Sequence, residues 1–146
     1  MFSLKNASLA GLLIAIVALA VLITCKLILA DGIVAIVVQA IAVLLMIWAR
    51  LTFGFRSFHA SADPTSGGLV TTGPYKYLRH PIYAAVIYFT CAGISSHLSI
   101  LSVMMGIAVV AGLSIRMVAE EQLVAKQYPD YKSYSAKTKR VIPFIL

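Results

Sequence analysis

Charge is what this chain has least of. Lys, Arg, Asp and Glu make up 12% of its 146 residues, and only 5 are acidic. An ordinary soluble domain is about one quarter charged and about half apolar, whereas 61% of this chain is hydrophobic and its mean hydropathy is +0.96. That deficit excludes an ordinary soluble protein, and 146 residues leave no room within them for a separate soluble domain. Cysteine is also scarce. Cys25 and Cys91 lie in apolar segments and form neither a disulfide framework nor a metal spacing, so they read as small packing residues. His59, His80 and His97 form no HExxH or related pattern, so no metal is expected. The first apolar run is of spanning length and lacks a small-residue cleavage site, so no cleavable signal peptide is expected. Internal repeats and low-complexity tracts are absent.

What remains is a series of apolar runs separated by short polar stretches. The composition predicts an all-α integral membrane protein, one domain over residues 1–146, with about four transmembrane helices. A bilayer core of about 30 Å takes about 20 helical residues to cross. The spans are expected at approximately 7–29, 33–49, 81–94 and 98–118. The first is uncharged from Ala7 to Cys25, with Lys26 placed to snorkel to the interface. Asp31-Gly32 marks a tight turn into the second span, which carries Trp48 as an interfacial anchor. From Pro81 to Ile115 there is no Lys, Arg, Asp or Glu, and one helix of that length would reach about 50 Å. The cluster Gly93-Ile94-Ser95-Ser96-His97 offers a break. The third span is then short, and its first turn is expected to lie recessed, with Arg79 and His80 in a wet pocket.

The polar stretches carry the orientation. Residues 50–80 form a central loop with turn signals at Asp63-Pro64, Gly67-Gly68 and Gly73-Pro74. The fourth helix is expected to run on to Tyr128 and stop before Pro129, followed by a basic tail ending in apolar Pro143-Phe144-Ile145-Leu146. Nearly all Lys and Arg fall in the loop and the tail. The positive-inside rule then places both termini, the central loop and a C-terminal tail helix in the cytoplasm. The net charge of +7 is explained by this flanking pattern, with anionic lipid as its counterpart, and no nucleic-acid partner is expected.

This topology brings two polar groups to one membrane face. One is Tyr75, Arg79, His80 and Tyr83. The other is Arg116, Glu120 and Glu121. Glu120 follows Arg116 by one helical turn and can pair with it, while Glu121 points about 100° away toward another partner. Each feature has an ordinary reading when taken singly. Arg116 and Glu120 read as a surface ion pair, Arg79 and His80 as a basic flank, and the tyrosines as interfacial belt residues.

The combination carries more. Leu69 to Tyr83 reads LVTTGPYKYLRHPIY, Glu120-Glu121 follows, then YPDYKSY from Tyr128 and RVIPF from Arg140. On these blocks, which cover about half the chain, the sequence resembles the isoprenylcysteine carboxyl methyltransferases and their relatives, the phospholipid N-methyltransferases. The resemblance implies methyl transfer from S-adenosylmethionine inside a small helical membrane enzyme. It implies cofactor binding by His80, Tyr83, Glu120 and Glu121, with Tyr75 and Arg79 nearby, and a substrate-holding or catalytic role for Arg116 together with Glu120. The sequence departs from many relatives at Ala85, where they carry glycine.

The implied chemistry suits these residue types. A helix N-terminus and Arg79 suit the cofactor carboxylate, and glutamates suit its ammonium or ribose hydroxyls. Tyrosine faces suit a sulfonium. Transfer is an in-line displacement, so alignment dominates. A carboxylate acceptor, such as a prenylated cysteine, needs no base, whereas an amine or thiol needs a glutamate or His80. The acceptor is expected to be lipid-like or hydrophobic and to enter from the bilayer. Two rivals stand beside this reading: an NADPH-dependent membrane reductase of the sterol reductase type, and a non-enzymatic membrane protein.

Overall fold

The apolar runs do form helices in the computed structural model, which describes residues 3–54 and 68–143. The helices are α1 (Leu4–Thr24), α2 (Ile33–Phe53), α3 (Pro81–Ser96), α4 (Ile100–Gln127) and α5 (Tyr131–Lys137), with one 3-10 turn at Gly73–Lys76. Among the described residues there is no named β-strand, only one isolated parallel bridge between Leu78 and Lys139. Three helices, α1, α2 and α4, are long and apolar enough to cross a bilayer, and α3 is a shorter apolar helix. The protein is therefore an all-α, multi-pass membrane protein. The turn signals at 63–67, His59 and the last three residues lie outside the described residues.

The bundle is built from two helix pairs, α1 on α4 and α2 on α3, joined where α3 meets α4. The buried residues of α1 are Ser8, Gly11, Ala15, Ala18 and Leu22, spaced alternately by three and four. That is the seam of a left-handed helix pair, and small side chains in it let the backbones close up. A Cβ added to Gly11 would sit 2.4 Å from the Gly112 carbonyl oxygen, and one added to Gly112 would sit 2.5 Å from that of Gly11. Ala15 and Ala18 then meet Val109 and Leu113. Residue numbers rise along α1 as they fall along α4, so the pair is antiparallel.

Several expected boundaries move, each for a visible reason. The first span does not reach residue 29, because α1 stops at Thr24. Leu27 N–H donates to the Leu22 carbonyl (2.8 Å) and Lys26 N–H to that of Ile23 (3.0 Å), while Lys26 takes φ +59°. This double bond closes a helix end and reverses the chain. The buried Gln39 side chain then ties the turn down: its amide donates to the carbonyls of Ile28 (2.7 Å) and Phe89 (3.1 Å), and its oxygen accepts from Ala30 N–H (3.1 Å). The second helix runs to Phe53, past the expected limit at 49. The third ends at Ser96 with His97 capping it, inside the expected break at 93–97 and two residues past 94; Gly93 itself serves close approach, since a Cβ there would lie 2.1 Å from the Ile28 carbonyl oxygen. The fourth opens at Ile100, two residues after the expected 98, with a reciprocal Ser99–Ser102 capping box, and runs past the span to Gln127 with Tyr128 as its C-cap, as expected.

One end of the bundle thus gathers the start of α1, the end of α2, the start of α3 and the end of α4. The opposite end is closed by Gln39, by His97 Nε2 against the Leu29 carbonyl (2.8 Å) and by Ser96, which accepts from Asp31 N–H (3.2 Å). At 16 residues, α3 is only about 24 Å long. Gly112→Ala is expected to lower stability by about 1–3 kcal/mol, the usual cost of forcing a methyl group into a close-packed contact. Thermal unfolding in detergent micelles reads this, and an unchanged midpoint would contradict the close α1–α4 contact.

Candidate active site

Arg116 is the starting point. Its backbone nitrogen lies 3.2 Å from the Cβ position of Gly11, well inside α1, so the side chain leaves α4 at membrane depth. The guanidinium is 5% exposed. A charge at such depth is retained where a partner meets it. Two do. Arg116 Nε donates to the Tyr83 hydroxyl at 2.7 Å and lies 2.9 Å from Glu120 Oε1. The Tyr83 hydroxyl in turn donates to Glu120 Oε1 at 2.7 Å. One helical turn separates Arg116 from Glu120, and Tyr83 supplies the third corner from the first turn of α3. The triangle bolts α3 to α4.

Glu121 faces a different set of partners, as its offset around the helix requires. His80 Nε2 lies 3.3 Å and Arg79 Nε 3.5 Å from its Oε1. Arg140 forks across it, with Nε 3.1 Å from Oε1 and Nη2 2.9 Å from Oε2. His80 Nδ1 turns to Glu120 Oε2 at 3.8 Å, so the imidazole stands between the two carboxylates. Its ring stacks on Tyr83, centroids 5.5 Å apart and planes at 15°. Pro81 at the first helical position presets the turn that aims both rings. Three guanidiniums against two carboxylates leave one positive charge in excess when His80 is neutral.

Two polar atoms of the cluster have their ion-pair neighbours at longer range. Arg79 Nε is buried without a hydrogen-bond partner. Glu120 Oε2 has His80 at 3.8 Å, beyond hydrogen-bond range. The start of α3 also carries no side-chain cap, which leaves the N–H groups of Ile82 and Tyr83 without one.

The structure brings Arg79, His80, Tyr83, Arg116, Glu120 and Glu121 together. It does not bring Tyr75 into hydrogen-bond contact with either glutamate. Tyr75 packs on Phe53 at 5.4 Å, its carbonyl accepts from the Tyr134 hydroxyl (2.8 Å), and burial pushes its phenol well above the ordinary range. It belongs to the wall. Tyr131 stands beside Arg79 and Glu121, and burial first, then Glu121, push its phenol up to about 12. The sequence reading gave Arg140 no place here. It sits among Lys137 and Lys139 and reads as a solvated basic tail, and its only signal was its membership of the terminal RVIPF block.

A family model for phospholipid methyltransferases matches residues 26–131. The chain belongs to the phospholipid methyltransferase family. Comparison with curated proteins and with solved structures returned no match. The matched region holds α2, α3 and α4 with both polar blocks, and leaves out α1 and Arg140. Family and helices together identify a membrane methyltransferase.

Burial sets the stability of the Arg116 triangle. Arg116→Met is expected to cost about 3 kcal/mol, because Glu120 loses its charge partner, whereas Arg116→Met combined with Glu120→Met costs much less. Unfolding in micelles compares the two variants, and equal losses would contradict this account.

Proposed function

We propose that this protein transfers a methyl group from S-adenosylmethionine to a lipid-like acceptor held in the bilayer. The observation that carries the reading is the meeting of Arg79, His80 and Tyr83 with Arg116, Glu120 and Glu121 in one largely buried cluster at the end of the bundle. The residues fit the cofactor. Arg79 Nε, which makes no hydrogen bond at its 3.5 Å distance from Glu121, and the uncapped start of α3 suit its carboxylate. Glu120 Oε2, with His80 Nδ1 at 3.8 Å, suits its ammonium or a ribose hydroxyl. Bound there, S-adenosylmethionine supplies an electrophilic methyl group on a sulfonium.

The protein's own residues hold and align. Arg116 anchors an anionic group of the acceptor, and the positive excess of the cluster supports that assignment. The carboxylate of a prenylated cysteine and the phosphate of a phospholipid both meet this requirement, and the family match supports the phospholipid class. A carboxylate acceptor attacks without a base. An amine gives up its proton, and Glu120 is a carboxylate able to take it. The flat His80–Tyr83 stack offers an aromatic face for the sulfonium.

The site end of the bundle is assigned to the cytoplasm, with both termini on that side. Among the described Lys and Arg residues, only Lys26 lies at the opposite end, and the positive-inside rule orients the chain accordingly.

Titration calorimetry in micelles with S-adenosylhomocysteine and NADPH tests the reading. S-adenosylhomocysteine is expected to bind, with affinity lost by about tenfold or more in His80→Ala and Glu121→Ala, as for lost charged hydrogen bonds. Binding of NADPH alone would favour the reductase, and binding of neither a non-enzymatic role. Transfer of radiolabelled methyl to prenylcysteine, phosphatidylethanolamine or a hydrophobic thiol identifies the acceptor.

A further inference from the structure

The segment after α5 lies alongside the approach to α3 like a short strand. Lys139 N–H donates to the Tyr77 carbonyl (3.1 Å), Arg79 N–H to that of Lys139 (2.6 Å) and His80 N–H to that of Arg140 (3.0 Å). Thr138 is buried and its hydroxyl donates back to the Tyr134 carbonyl (2.9 Å), which anchors the start of the segment. The Tyr88 hydroxyl donates to the Val141 carbonyl and anchors its far side. Arg140 sits between these anchors and is bonded twice. Its carbonyl holds the backbone of His80, and its side chain forks across Glu121.

We propose that Arg140 is a positioning residue. It fixes His80 and Glu121 against each other and makes the C-terminal segment part of the site. His80 and Glu121 come from stretches 41 residues apart, and their own contact is a single one of 3.3 Å. The contacts of Glu121 with His80 and Arg79 both fall on Oε1, and a carboxylate held at one oxygen still rotates about its side-chain torsions. Arg140 engages both oxygens of Glu121, which sets the carboxylate plane and keeps Oε1 toward His80 Nε2 and Arg79 Nε. A planar fork does this and an ammonium does not.

The competing view is that Arg140 makes a surface ion pair of little worth, since its side chain is 44% exposed. The Glu121 end of the pair is 11% exposed, and the Arg140 backbone is itself part of the His80 anchor, so the contact is not an isolated surface pair.

The test uses the full chain in micelles or nanodiscs. Its kinetic half rests on the methyl-transfer reading, and its proteolytic half does not. Arg140→Ala is expected to raise KM for the methyl donor about tenfold, as for a lost charged hydrogen bond, while kcat and the unfolding midpoint stay near those of the wild type. Arg140→Lys recovers only part of the loss, because the charge returns without the fork. Lys137→Ala, an exposed neighbour, behaves as wild type. Independently of any cofactor, Arg140→Ala and Glu121→Gln each speed trypsin cleavage after Lys139, whose backbone is otherwise bonded to residues 77 and 79. Unchanged KM and unchanged cleavage in Arg140→Ala would overturn the proposal, as would full recovery by Arg140→Lys. Should the wild type transfer no methyl group, the methyl-transfer reading fails. The positioning role then stands or falls on the cleavage rates alone.

Discussion

A guanidinium 5% exposed among membrane helices has to be neutralised where it stands. Bringing Arg116 out of water costs several kcal/mol, on the order found for buried ions generally, and only close partners offset it. This constraint organises the rest. It requires Glu120 one turn along α4 and a hydroxyl from α3, so α3 must begin at the depth where α4 carries its charges. That depth explains why α3 is the short helix and why the backbone enters it through a 3-10 turn rather than a long straight span. Irregular backbone at membrane depth is tolerated when it lines a polar cavity.

The packing of the bundle places that polarity at a seam. The α1–α4 pair is closed by glycine and alanine, and the α2–α3 pair is tied at the far end by Gln39 and the carbonyl of Ile28. Between the pairs, α3 touches α4 through Tyr83, Val86 and Ile87 against the Ala15, Ala18, Val109 and Leu113 cluster. The far end of the bundle is fastened by the Gln39 amide, by backbone bonds and by His97, which lies 3.4 Å from Asp31 Oδ2. The near end is fastened by ion pairs, whose partners can exchange with a charged ligand. A membrane methyltransferase gains from this asymmetry. One end keeps the helices in register while the other admits chemistry.

The spans were legible because hydropathy and length fix them before any tertiary contact is known. The extent of α4 to Gln127 was legible too, since Pro129 forbids helix at the residue before it. The pairing of Arg116 with Glu120 follows from helical spacing alone. The break at the Gly93–His97 cluster was legible, since α3 ends at Ser96, but the part Gly93 plays was not: its missing side chain lets α3 meet the Ile28 carbonyl across the bundle. The early end of α1 was hidden for a related reason. Lys26 adopts a left-handed backbone that glycine usually takes, and only Gln39, thirteen positions on, explains what holds the turn. Arg140 was invisible as a site neighbour because a basic tail looks solvated until the chain is seen to fold back. Tyr75 sits in the same block as His80, and the 3-10 turn sets its ring against Phe53, a contact the sequence does not reveal.

The charge balance of the cluster narrows what belongs in it. Three guanidiniums face two carboxylates, so an anionic group lowers the energy of the cluster and a lone cation raises it. Arg79 Nε pairs with Glu121 Oε1 at 3.5 Å without a hydrogen bond, and Glu120 Oε2 has His80 Nδ1 at 3.8 Å. A ligand that presents a carboxylate to the first and an ammonium or hydroxyl to the second satisfies both without disturbing the Arg116 triangle. An amino-acid zwitterion has that pattern, and so does the methionine portion of a methyl donor. The aromatic stack of His80 on Tyr83 lies beside the same cluster and can meet a sulfonium without a full counter-charge. A fixed anion there would instead stabilise the cationic donor more than the transition state, in which the positive charge is already fading. The ground state and the barrier would then be separated further, and the reaction slowed.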